Sequence, residues 1–172
     1  MINTLRKAVL IVSLTLITTS SDAQPYQTGI GARLGGITSG LTVKHFMGMN
    51  SAVEGILSFG RHSFLITGLY EKHNQFAKVE GLNWFFGGGA HIGFFNDHYG
   101  GGYYYYKYKG NKVIVVEDAE SDVSFGVDFI LGMEYKIKNA PVSLSFDLKP
   151  FIDFVPGVYG YWEGAFTFRF TL

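Results

Sequence analysis

The residues of this chain best suited to acid–base or metal chemistry are five histidines, His45, His62, His73, His91 and His98, since cysteine is absent. A hydrolase would need one of them beside a serine and a carboxylate. His62-Ser63 puts two of those types side by side. Adjacent residues of a strand point to opposite faces, however, so these two would diverge. The histidines have no metal-ligand spacing with aspartate, and no metal or other cofactor is implied. Gly87-Gly88-Gly89 is followed by neither a helix nor Gly-Lys-Ser/Thr, which removes a phosphate loop. Glycine within a strand marks a bend or a close packing partner instead.

Two further groups carry polar chemistry. Arg33, Lys44, Glu54, Asp128, Glu134, Asp147, Lys149 and Arg169 recur on one face of alternating segments, with Gly and Ser between them. Their signs balance, so they can pair, and His91 falls on the same face. The second group is Tyr103, Tyr104, Tyr105, Tyr106 and Tyr108, in a stretch that runs from a Gly-Gly-Gly triplet through Gly110-Asn111 to Val113-Ile114-Val115-Val116. Two β-prone runs flanking Gly-Asn read as a hairpin. Tyrosine offers rigid contact area at small entropic cost, which suits an extracellular protein or glycan. The same tyrosines could instead sit in an interfacial aromatic girdle.

Period-2 alternation runs through the chain after Gln24 and marks strands with two unlike faces. It is clearest at 123–137, where Val123, Phe125, Val127, Phe129, Leu131, Met133, Tyr135 and Ile137 share a face. Eight strands are expected, at about 26–35, 40–46, 51–60, 63–72, 80–94, 122–137, 141–152 and 161–172. The facing of the fourth is ambiguous, because Phe64, Leu65 and Ile66 are consecutive. Gly48-Met49-Asn50 and Lys138-Asn139-Ala140 read as tight turns, and residues at about 95–121 form the one long connection. An even, antiparallel set can close into an up-and-down barrel with both termini at one end.

The polar face decides which way such a barrel turns. With apolar rows inward, the Phe-rich strands 7 and 8 would overfill an eight-stranded interior, which is only just wide enough for side chains. Small and paired charged residues fill it better, leaving the apolar rows outward. The fold class expected is therefore all-β, an eight-stranded antiparallel transmembrane barrel. Such a barrel holds a packed lumen rather than a diffusion pore.

Composition agrees. The chain of 172 residues is 17% aromatic with 23 glycines, a mixture suited to strands. Its 14 basic and 14 acidic residues leave no basic surplus for nucleic acid. Residues 1–23 read as a signal peptide: Arg6 and Lys7, the apolar run Ala8 to Thr19, then small residues before Gln24. That run is shorter than the roughly 20 apolar residues a membrane helix needs. The mature domain would be 24–172, exported by the Sec pathway.

The signal peptide, the eight segments and the closing Gly164-Ala165-Phe166-Thr167-Phe168-Arg169-Phe170-Thr171-Leu172 together resemble a family. They look like the small eight-stranded outer-membrane barrels of the OmpA/OmpX type and the porin-like barrels of Gram-negative bacteria. The resemblance implies an outer-membrane location, contact with lipid and lipopolysaccharide, and insertion by the barrel-assembly machinery. The family closes on a terminal aromatic, where this chain has Leu172. It includes structural proteins, adhesins and a few lipid-modifying enzymes, and the His-x-Ser-Asn pattern of the deacylases is missing at His62. The reading reached is a non-enzymatic barrel with a structural or surface-interaction role. A lipid-A-modifying enzyme and a soluble lipocalin-like barrel binding an apolar ligand are the alternatives.

Overall fold

Eight strands close on themselves in sequence order, each antiparallel to its neighbours, with β1 paired to β8. The structure, a computed structural model, describes residues 26–60, 63–76, 79–95, 123–155 and 158–172. The strands are β1 (Thr28–Gly35), β2 (Ser39–Gly48), β3 (Ser51–Phe59), β4 (Ser63–Gln75), β5 (Leu82–Phe95), β6 (Val123–Lys136), β7 (Val142–Val155) and β8 (Tyr159–Thr171). No helix among the described residues is long and apolar enough to cross a membrane, which leaves strand crossing open. The expected signal peptide, the loop tyrosines, His62 and His98 lie outside the described residues.

The strands follow the alternation closely, with differences at their ends. β4 continues to Gln75 and β7 to Val155, beyond the expected 72 and 152. β1 begins at Thr28 rather than at 26, because Tyr26 turns into the barrel and is buried. The expected turns form at Met49-Asn50 and around Asn139, whose φ of 60° is one that asparagine tolerates better than most residues. Leu172 accepts backbone hydrogen bonds from Gln27 and Thr28, so both ends of the barrel domain meet at one rim. We call this rim the terminus end and the other the loop end.

The register sets the tilt. Partner by partner, Gly31 leads to Thr42, Ile56, Thr67, His91, Gly126, Asp153 and Tyr159. That path reaches β8 about ten residues from Arg169, the residue actually paired with Gly31. Closing an eight-stranded sheet over that offset inclines the strands by about 40° to the axis. Pro150 lies within β7, where a missing N–H breaks a ladder. The β6–β7 ladder is accordingly interrupted between Asp128↔Phe151 and Leu131↔Leu148, with the register unchanged across the gap; the register shift itself lies between Phe125 and Gly126.

The barrel is inverted relative to an ordinary soluble core. Its interior holds Arg33, Lys44, Glu54, Asp128, Glu134, Asp147, Lys149 and Arg169, each at most 4% exposed. Its exterior carries Leu41, Ile66, Phe86, Phe129, Leu148 and Phe166, all exposed. Along β6 the outward row from Phe125 to Tyr135 rises roughly 25 Å parallel to the axis, at about 3.3 Å per residue and this tilt. Trp84 and Tyr135 lie toward the terminus end of this belt, and Trp162 and Phe154 toward the loop end.

The interior accepts long charged side chains because several inward positions are glycine. A Cβ at Gly89 would collide with the backbone carbonyl oxygen of Gly68 and stand 2.9 Å from the Cα of Leu69. These atoms are all backbone of β4, which leaves nothing flexible to yield. Gly89→Ala should therefore lower stability by about 1–3 kcal/mol. Gly55→Ala is the control: nothing lies within 4 Å of the added carbon there. Urea midpoints of the folded protein in detergent, with Gly55→Ala close to wild type and Gly89→Ala clearly lower, check this.

Candidate functional site

The lumen carries the chemistry, and its charges are organised around two hubs. The first is Lys44 on β2, with no exposed surface. Its Nζ lies 2.7 Å from Glu71 of β4, 3.1 Å from Glu54 of β3 and 3.4 Å from Glu134 of β6. It also stands 4.2 Å from the ring centre of Phe85. Glu54 accepts a hydrogen bond from the Thr42 hydroxyl and another from Arg169 of β8. Arg169 donates in addition to the Ser145 hydroxyl at 2.7 Å. Glu134 accepts from the Tyr26 hydroxyl at 2.5 Å. Each charge at this hub thus has a counter-charge or a hydrogen bond, the condition under which burial is tolerable.

The second group lies nearer the loop end. Arg33 of β1 meets Asp147 of β7 at 2.5 Å and lies 3.7 Å from Glu163 of β8. Glu163 accepts from the backbone N–H of Thr38 at 2.6 Å, which fastens the β1–β2 connection to the wall. On the facing side, Lys149 of β7 donates to Asp128 of β6 at 2.6 Å. His91 of β5 bridges strands, with Nδ1 2.7 Å from Asp128 and Nε2 2.7 Å from Asp153 of β7. Both ring nitrogens face carboxylates, which leaves neither to a serine hydroxyl.

All eight charged residues read from the alternation lie inside, and they join into these clusters. The interior also contains charges that the alternation did not single out. Glu71, Asp153 and Glu163 are buried there too, as is His73, whose Nε2 lies 2.8 Å from Glu71. The expected balance of signs is therefore tipped toward acid among the described residues. The signal for Glu163 was present, since it shares a face with Ala165, Thr167 and Arg169. Asp153 continues the Asp147–Lys149 row just past the expected strand end. Glu71 and His73 were hidden by the ambiguous facing of β4, and Tyr26 and Phe85 by their apolar type.

Ile56, Leu69, Phe85 and Ile130 form one buried apolar cluster on β3 to β6. His45 is half-buried near the terminus end, its Nδ1 2.9 Å from the Thr28 hydroxyl. Among the described residues no group of three or more histidines and carboxylates is arranged to hold a metal ion.

No protein-family model matches this chain, and no curated protein sequence matches it either.

Proposed function

We propose that this chain is an outer-membrane β-barrel, exported with a cleaved signal peptide, non-enzymatic, and structural or surface-interacting in role. The observation that carries this reading is the belt of exposed apolar side chains around a charged interior. Its height of roughly 25 Å is that of the lipid-facing band of outer-membrane barrels, and aromatic residues border it as they border such bands. From Phe125 to Tyr135 on β6, and from Val142 to Phe154 on β7, no outward position is charged. A soluble barrel could share the polar interior, but water would then face an apolar surface far larger than monomers tolerate. Closure suits lipid as well, because the sheet leaves no open edge.

The packed lumen favours a structural or surface role over bulk diffusion. The tyrosine-rich segment 103–108 falls in sequence between β5 and β6, and its composition supports contact with an extracellular protein or glycan. Contact with lipopolysaccharide and delivery by the barrel-assembly machinery follow from the same location.

Fractionation of cells expressing the full chain tests the reading. The protein should enter the outer-membrane fraction, dissolve only in detergent, and migrate differently in gels before and after boiling. A mature chain that stays soluble without detergent would contradict it. Lipid A with unchanged acylation on expression is the expected result for a non-enzymatic barrel.

A further inference from the structure

The eight strands hold six lysines and arginines, and five of them have charged or carbonyl partners. Arg33, Lys44, Lys149 and Arg169 point inward and meet carboxylates. Lys136, at the end of β6, donates to the carbonyl of Ala140 in the turn that follows, at 2.5 Å. The sixth is Lys72. It is exposed on the outward face of β4, just before that strand ends at the terminus end of the barrel. Among the described residues no other outward strand position carries Asp, Glu, Lys or Arg. Lys72 is thus the one formal charge on a wall that is otherwise apolar and aromatic, and the described residues give it a hydroxyl partner but no carboxylate.

Its surroundings suit an anion. Ser51, opposite Lys72 in the β3–β4 register, accepts a hydrogen bond from Nζ at 2.6 Å. Tyr70, the preceding outward residue of β4, has its ring centre 5.6 Å from the same Nζ, and its hydroxyl interacts with both Ser51 and Lys72. An ammonium has three donors, of which Ser51 takes one, and each hydroxyl keeps a proton of its own to donate. Three donor groups therefore converge at the border of the belt, where a lysine stem can lie along apolar wall while its head reaches the polar interface. On the loop-end side of Tyr70 the wall is bare. Gly68 and Gly55 face each other across β4 and β3, and nothing lies within 4 Å of a Cβ added at either, which leaves room for an acyl chain.

We propose that Lys72, Ser51 and Tyr70 form a docking site for the phosphate of a phospholipid in the leaflet at the terminus end. The site rests on the membrane reading above. Short turns mark the terminus end as the periplasmic one, and the leaflet on that side of an outer membrane is phospholipid. Charge complementarity selects the occupant. A phosphate supplies the counter-charge that Lys72 lacks and accepts from all three donors, whereas a second copy docked symmetrically on this face would set one Lys72 against another.

Native mass spectrometry of the protein refolded in a neutral detergent tests the site. Dioleoylphosphatidylglycerol should bind about tenfold more tightly than dioleoylglycerol, the same chains without phosphate, as expected for a hydrogen bond between charged groups. Lys72→Gln should abolish that margin and Lys72→Arg should keep it. Ser51→Ala, which removes only a hydroxyl, should narrow it and serves as the second route if Lys72→Gln does not fold. Lys138→Gln removes an exposed charge at the same end that is already paired with Glu80, and should leave the margin unchanged. Inorganic phosphate at the lipid's concentration should not displace the lipid. Equal binding of the two lipids, an unchanged margin in Lys72→Gln or Ser51→Ala, an equal loss in Lys138→Gln, or displacement by inorganic phosphate would overturn the proposal. Heat-dependent gel mobility is read first: a chain without it contradicts the membrane reading itself, a result distinct from loss of the phosphate preference.

Discussion

Phe129→Arg should cost the folded protein about 2–4 kcal/mol in a lipid bilayer. Phe129 lies on the outward face of β6, 57% exposed, near the middle of the apolar belt. A guanidinium there must either enter hydrocarbon or drag water and headgroups inward, and the penalty declines toward the interfaces. Phe154→Arg, also outward but at the loop end of β7, should accordingly cost only about 0–1 kcal/mol. If water bathed the exterior instead, both substitutions would fall within about 0.5 kcal/mol of wild type, as surface changes usually do. Urea unfolding in vesicles, followed by loss of the heat-modifiable band, separates the two cases by the depth dependence alone.

Lys44→Met should be comparably damaging for the opposite reason, because its effect comes from inside. The ammonium is wholly buried and is shared by Glu54, Glu71 and Glu134. Methionine keeps the bulk of the stem and its place over Phe85 but withdraws what is, among the described residues, the only lysine or arginine nitrogen within 4 Å of Glu134 and Glu71. Breaking a buried pair by removing one partner typically costs about 3–5 kcal/mol. Glu71→Gln in the same chain should return part of that loss, because it neutralises one of the stranded carboxylates. A double-mutant cycle in detergent reads the coupling, and additive effects of the two substitutions would contradict a shared hub.

Much of this architecture was legible from alternation. The long rows of β6 and β8 admit one facing, because a slip by one residue would turn the phenylalanines inward and Asp128, Glu134 and Arg169 outward. The turn at Asn139 could be read from residue type alone. Elsewhere local pattern was insufficient. In β4, Phe64-Leu65-Ile66 supports either facing, and only pairing with β3 and β5 turns Leu65, Leu69, Glu71 and His73 inward. Phe85 lies between Trp84 and Phe86 on the face that period 2 carries back from His91 through Gly89 and Gly87, and its apolar type hid it among those polar and small positions. Its burial follows from the apolar cluster with Ile56, Leu69 and Ile130, which forms only once four strands are assembled. The charge clusters were legible as a face but not as partners. Arg169 and Glu54 are far apart in sequence and meet only because β8 closes onto β1.

The two tryptophans give the most direct measurement of where the belt resides. Trp84 and Trp162 are the only ones in the chain, both point outward, and they lie toward opposite ends of the belt. In vesicles containing lipids brominated along the acyl chains, a membrane-embedded barrel should show blue-shifted emission that the bromines quench and aqueous acrylamide hardly affects. Emission that acrylamide quenches as freely as in the urea-unfolded chain, with no response to brominated lipid, would place the apolar belt in water and contradict the membrane barrel.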